Sequence, residues 1–470
     1  MALIPIYTWN KSLLAINKRS KRISKQPWFQ GILLLCCVAV AMLLANLPLT
    51  RHLYHSLLET EIQLHFASPG GSVDFMFPRD MTVEKFINDI LMVIFFFTVG
   101  LEIKREVAHG ELSSMKKALL PVIAAVGGVI APAVIYTIVN HGTAAASGWG
   151  IPTATDIAFA VCILSMLSDK VPVSLKVFLT ALAIADDLIA ILVVALFYGG
   201  KINFLLLAIA LCVILFSLLL RKLGDKHMFP YLLMAAVVWI LFYYSGIHAT
   251  MSGVVMAFII PASPRYNKAQ YIHKRNRYIA KINDYDGIDD EPFPNGPQRH
   301  CLRRLESIAH GSMDMSYRVE HALSPWVNFL IMPIFALANA GVEIKDPALF
   351  NIFSFSPVLG GVSLGIFLGL VLGKPLGIML FSWIAIKLRL CQMPKNANWP
   401  LFAAVACLGG IGFTMSIFVD TLSFSEQTPE VMALLRDAGK IAVLLGSVFS
   451  GLLGSVLINV TSKLQRREEA

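Results

Sequence analysis

Thr153-Ala154-Thr155-Asp156 and Ile184-Ala185-Asp186-Asp187 are the two runs whose reading decides the fold. Apolar sequence surrounds both, at 157–167 after the first and 177–198 around the second. One carboxylate at the centre of a membrane helix costs about 2.5–3.5 kcal/mol on insertion scales. Three of them, Asp156, Asp186 and Asp187, within thirty-two residues predict one shared polar site between helices. The first run follows Gly148-Trp149-Gly150-Ile151-Pro152, which starts or breaks a helix and leaves backbone N–H and C=O groups unpaired. At membrane depth such breaks are tolerated only where they line a cavity, and transporters hold ions with them. The pattern predicts a cation site.

Working outward, 56% of the 470 residues are hydrophobic and 15% charged, where a soluble protein carries roughly 25% charged residues. With a mean hydropathy of +0.68, this is the composition of an all-α polytopic membrane protein. The net charge of +9 needs no nucleic-acid partner, because the basic residues fall in loops on one predicted side. The seven cysteines suggest neither a metal spacing nor an oxidised pair, and nothing calls for a cofactor. Residues 31–47 are long enough to span a bilayer, so the N-terminus does not read as a cleaved signal.

About twelve spans are expected, near 29–47, 82–100, 118–139, 153–167, 173–199, 203–220, 229–245, 247–261, 323–342, 356–386, 400–420 and 437–461. They form a single transmembrane domain over about 29–461, between a basic N-terminus (1–28) and a short tail (462–470). About thirty of the 39 Lys and Arg fall on one side, which places both termini in the cytoplasm by the positive-inside rule. Lys374 is expected to be the only basic residue fully inside the membrane, with Lys176 snorkelling at a helix end. Residues 61–77 alternate around a Ser-Pro-Gly-Gly-Ser turn and predict an external β-hairpin. Residues 262–317 form a cytoplasmic insertion, whose first part, 267–282, fits a basic surface helix. Its acidic run fails as a calcium loop: with Gly287 at position 6, Ile282 and Phe293 stand where carboxylates are required.

The third to fifth and tenth to twelfth spans look like repeats of opposite orientation. The fourth is interrupted at 152–155 and the eleventh at Gly409-Gly410-Ile411-Gly412-Phe413-Thr414. Matching interruptions in two repeats point to a transporter's binding site. Crossing broken helices would bring half-helix ends face to face, each carrying about half a unit of charge, with Asp156 and Lys374 available to balance them.

These residues resemble the NhaA-type Na+/H+ antiporters. The matching runs include Phe86-Ile-Asn-Asp89, Val99-Gly-Leu-Glu-Ile-Lys-Arg-Glu106, Ala154-Thr-Asp-Ile-Ala-Phe-Ala160, Ala183-Ile-Ala-Asp-Asp187, Ser245-Gly-Ile-His-Ala-Thr250, Gly373-Lys-Pro-Leu-Gly377 and Gly410-Ile-Gly-Phe-Thr-Met-Ser-Ile-Phe418. The resemblance implies that Asp187 and Asp186 carry Na+, Li+ and protons, and that Thr155 and Asp156 lie where the broken helices cross, near Lys374. It also implies a cytoplasmic pH-sensing funnel at Glu102, Arg105, Glu106, Arg318, Glu320 and His321, a homodimer formed partly through the hairpin, and a place in the bacterial inner membrane. The chain departs from the family in its long insertion and in Ser324, which stands before Pro325-Trp326 where a His is often found.

Adjacent helical residues point about 100° apart, so Asp186 and Asp187 cannot face the same partner. One can look into an ion cavity while the other meets Lys374. If Na+ displaces protons from both, more charge moves as H+ than as Na+ and the exchange is electrogenic. Asp89 reads either as a cavity-lining group or as a helix-end polar residue, and His248 fits packing better than pH sensing. An intramembrane aspartyl protease would carry a Gly-x-Gly-Asp run, which is absent before Asp187. A sodium-coupled transporter of an organic substrate would need more pocket polarity than these Ala, Ile and Leu runs supply.

Overall fold

The computed structural model describes residues 27–468 except 63, 69–70, 76–80, 201, 225–226, 265, 285–295, 345–351, 354, 356–359 and 425–426. The basic N-terminus through residue 26 and most of the rejected calcium-loop register lie outside the described residues. Among those described, nine helices are long and apolar enough to cross a membrane, or up to eleven if each of two bent pairs is one span. They are α1 (Pro27–Asn46), α2 (Val83–Ala108), α3 (Met115–Val139), α4 (Ile157–Met166), α5 (Val173–Phe197), α6 (Phe204–Lys222) and α7 (Met228–Ser245). The chain continues through α8 (Thr250–Ile259), α9 (Met315–Asn339), α10 (Val362–Lys387), α11 (Trp399–Gly409), α12 (Phe413–Ser423) and α13 (Pro429–Glu468). The ten-residue α8 stands where a full eighth span was expected.

Three span boundaries differ most from expectation. The second helix continues to Ala108, because the charged run after Gly100 suits a helix as well as a loop. The ninth starts at Met315, inside the segment expected to be a loop. Pro325 removes one N–H from its ladder, and the helix relaxes into a π-turn at Val327–Ile331. The last helix starts at Pro429, a residue suited to a first turn. The helix Pro429–Leu464 therefore includes Arg436 and Lys440 near its start.

The chain divides into two compact units. The first holds 27–92, 106–200 and 328–468 of the described residues. Its helices approach closely through glycine: a Cβ on Gly127 of α3 would lie 2.4 Å from the Gly377 carbonyl oxygen of α10, and one on Gly377 would lie 2.1 Å from that of Gly127. Such small-residue crossings let membrane helices gain packing energy without a hydrophobic drive between them. Asn88 and Asn339 exchange side-chain hydrogen bonds of 3.1 and 2.8 Å. The expected hairpin is present as β1 (Leu64–Ser68) antiparallel to β2 (Gly71–Phe75), with Leu64 opposite Phe75 and Ser68 opposite Gly71.

The second unit holds 93–105 and 201–327. Phe97, Leu101, Tyr231, Phe242 and Met256 form its core. A Cβ on Gly253 would meet the Val93 carbonyl oxygen at 2.5 Å, which fixes the closeness of the α2–α8 crossing. The C-terminal end of α8 is held by cations, as its carbonyls require: Lys104 Nζ donates to Ala257, Phe258 and Ile260, and Arg221 donates to Phe258. The inserted segment forms two polar helices, Lys268–Asp284 and Gly296–Gly311.

Candidate ion site

Both expected interruptions lie in the first unit. Residues Ala144–Thr153 form a 3-10 segment, and the chain bends by 42° before α4; α11 and α12 meet at 46°. The two breaks bond directly to each other. Asp156 N–H donates to the Ile411 carbonyl at 2.7 Å, and Thr155 Oγ1 lies 2.8 Å from the Gly409 carbonyl oxygen. Phe159 stacks edge-on against Phe413, with centroids 4.4 Å apart, and closes the apolar side of the crossing.

Asp156 serves two helix starts with one carboxylate. Its Oδ1 accepts from Phe159 N–H in the first turn of α4 at 3.2 Å. Its Oδ2 accepts from Thr414 N–H in the first turn of α12 at 3.1 Å, and from the Thr414 hydroxyl. Both helix N-termini carry partial positive charge, so a buried anion is favoured between them. Ser447 of α13 completes the arrangement, its Oγ accepting from Gly412 N–H at 3.2 Å and Phe413 N–H at 3.0 Å.

Lys374 answers a carbonyl end. Its ammonium donates to the Thr153 carbonyl at 2.5 Å and lies 2.5 Å from Asp186 Oδ2. Thr155 Oγ1 is also 2.5 Å from that oxygen, while Asp186 Oδ1 takes no hydrogen bond. Asp187 occupies the next position on α5, and its charge acts on Lys374 as well. Asp156, Asp186, Asp187 and Lys374 are each at most 2% exposed. A buried ion pair stands only with good geometry and further hydrogen bonds, which Thr155 and Thr153 supply. The result is a buried site rich in oxygen: carboxylates, a threonine hydroxyl and the carbonyls at the breaks. A hard monovalent cation takes such ligands in place of water.

Of the residues expected to lie around a funnel, the structure brings Glu102, Arg105 and Glu320 together. In the second unit Arg105 is ion-paired with Glu320 and sits 3.7 Å from Glu102. Arg318 and His321 line a cavity of about 640 Å³ with His227 and His310; His321 stacks flat on Tyr317. Glu106 belongs to the first unit. His248, in the second unit, has Nδ1 3.5 Å from the Thr250 hydroxyl. Asp89, in the first, sits half-buried in the π-turn Phe86–Leu91.

Four contributors escaped the sequence reading. Thr414 lay inside a quoted motif, but nothing marked its hydroxyl as the partner of Asp156. Ser447 is 34 residues from the N–H of Phe413 that it caps, beyond any local capping pattern. Lys104 reads as one more loop cation, and Asp420 is a carboxylate in apolar sequence like the three that were noticed.

The family model "Na+/H+ antiporter 1" matches residues 21–458. Among curated relatives, "Na(+)/H(+) antiporter NhaA" of Wolinella succinogenes is 39% identical over 94% of this chain and 93% of its own. The protein of the same name from Shewanella amazonensis is 42% identical over 93% and 96%, and that of Syntrophobacter fumaroxidans 43% identical over 80% and 78%. With crossed broken helices, a buried aspartate pair and a match along nearly its whole length, the chain belongs to the Na+/H+ antiporter 1 family.

Proposed function

We propose that this protein exports Na+, and also Li+, in exchange for more than one H+ by alternating access, in a bacterial inner membrane with both termini cytoplasmic. The observation that carries the reading is the contact of Lys374 Nζ with Asp186 Oδ2 at 2.5 Å, directly beside the buried Asp187. Asp187 is the ligand for which Na+ and H+ compete. Asp186 accepts a proton only when it lets go of Lys374, so a cation entering beside it displaces charge from the pair as well as from Asp187. Two proton equivalents leaving for each Na+ make the cycle electrogenic, and a membrane potential then drives it with about 2.3 kcal/mol per net charge per 100 mV.

The antiporter names of the relatives support this reading, and so do the Ala, Ile and Leu runs around the site. Regulation by pH rests on the Arg105–Glu320–Glu102 group at the end of α2, where charges on two helices can rearrange. The protein is also a homodimer, since β1 and β2 pair only with each other among the described residues and leave two edges. The test is Na+-driven proton movement in proteoliposomes. Asp187→Asn is predicted to insert normally, to lose Na+ binding at the crossing and to lose exchange; parental exchange in this variant refutes the reading.

A further inference from the structure

One buried carboxylate has no part in the scheme above. Asp420, on α12, is 0% exposed, and neither of its oxygens takes a hydrogen bond. A carboxylate kept only to pin helices together would be ion-paired or bonded, because an unpartnered buried charge is costly. The charges that act on Asp420 come from α13: Lys440, Arg436 and Asp437. Arg436 does not close on it. One guanidinium nitrogen of Arg436 donates to the Thr421 carbonyl, and its Nε is buried without a partner. At the point where α13 passes the carboxylate the chain has Gly439, whose Cβ would stand 2.0 Å from Asp420 Oδ1. The helix thus makes room for the carboxylate and supplies no donor to it.

Asp420 also falls on a pattern. Ser416, Asp420 and Ser423 share one face of α12 at the i, i+4, i+7 spacing, and are 0%, 0% and 4% exposed. At 1.5 Å per residue this oxygen-bearing stripe runs about 10 Å from near the crossing along α12. Ser416 donates to the Ile151 carbonyl of the 3-10 segment at 2.7 Å. Tyr136 and Tyr198 donate to Ala145 and Ser147 of the same segment, so their hydroxyl hydrogens are committed elsewhere. A buried carboxylate without hydrogen bonds, on a polar stripe that starts at the ion site and with cations near but not bonded, has the chemistry of a transfer point for a small cation.

We propose that Asp420 is a second, transient Na+ station on the α12 side of the crossing, with Arg436 as the cation that competes for it and releases the ion. The proposal rests on the exchange reading for its place in a cycle, but its binding arm does not. That arm measures Na+ heats calorimetrically on the purified full-length protein. In Asp187→Asn a weak residual Na+ heat is expected, and Asp187→Asn/Asp420→Asn should abolish it; no residual heat, or one unaffected by the second substitution, overturns the station. The transport arm uses Asp420→Asn alone in liposomes. It should keep the parental melting temperature and Na+ affinity while the maximal exchange rate falls about tenfold, and Gly439→Ala, which displaces the carboxylate, should fall likewise. Unchanged exchange overturns the proposal, and so does a joint loss of stability and binding, which would make Asp420 a structural anchor. Residual heat in Asp187→Asn that the second substitution abolishes, together with no exchange by the parent protein, contradicts the exchange reading and leaves the station standing.

Discussion

Lys374 is asked to do two things at once. Its ammonium holds the Thr153 carbonyl at the end of the 3-10 segment and the Asp186 carboxylate on α5. Removing the lysine alone strands a buried anion, a loss of about 3–5 kcal/mol for broken buried pairs. Lys374→Gln should therefore melt well below the parent, whereas Asp186→Asn/Lys374→Gln, with no charge left to strand, should recover most of that loss. If the pair is also the second proton carrier, the double variant exchanges one H+ for one Na+, and its transport current on a supported membrane should vanish while exchange continues. A double variant as unstable as the single one, or one that still passes current, contradicts the assignment. The importance of these residues was legible because a charge in apolar sequence always needs a reason. Their partners were legible only in part: the resemblance named Thr155, but the Thr153 carbonyl and Thr414 read as ordinary until the crossing brings them together.

The half-helices form the machine's central element, and their ends are capped from outside. Ser447 gives its oxygen to the first two N–H groups at the start of α12. Ser447→Ala should cost about 1 kcal/mol, as lost N-terminal caps do, read as a lower melting temperature. It should also weaken Na+ affinity, because α12 presents Thr414 to Asp156; a parental Na+ affinity would show that the crossing does not depend on this cap. The breaks themselves were legible from Gly and Pro placement. Helix ends were not: Met315 and Pro429 begin helices inside stretches whose charge reads as loop, because a span extending past the bilayer carries charge at no penalty. The same misreading left Arg436 out of the last helix. Asp420 was missed for a different reason, since the rule that singled out Asp156 applies to it equally.

For the whole molecule, the order of spans, the hairpin and the two interruptions could be read from hydropathy and turn residues, while the division into two units could not. That division depends on which helices contact which, and hydropathy carries no such information. The hairpin lies in the first unit, and deleting it should shift detergent-solubilised protein toward monomer while exchange persists; an unchanged dimer fraction by crosslinking would remove it from the interface. The central claim is that Na+ and H+ share the Asp186–Asp187 site, and the most direct measurement is the Na+ concentration for half-maximal exchange at a series of pH values. Lowering the pH by one unit should raise that concentration up to tenfold for each competing proton, equivalent to about 1.4 kcal/mol, with the rate at saturating Na+ held constant by pure competition and lowered if the Arg105–Glu320 group acts as a separate sensor. A half-maximal Na+ concentration that does not change with pH would contradict the shared site and with it the exchange mechanism.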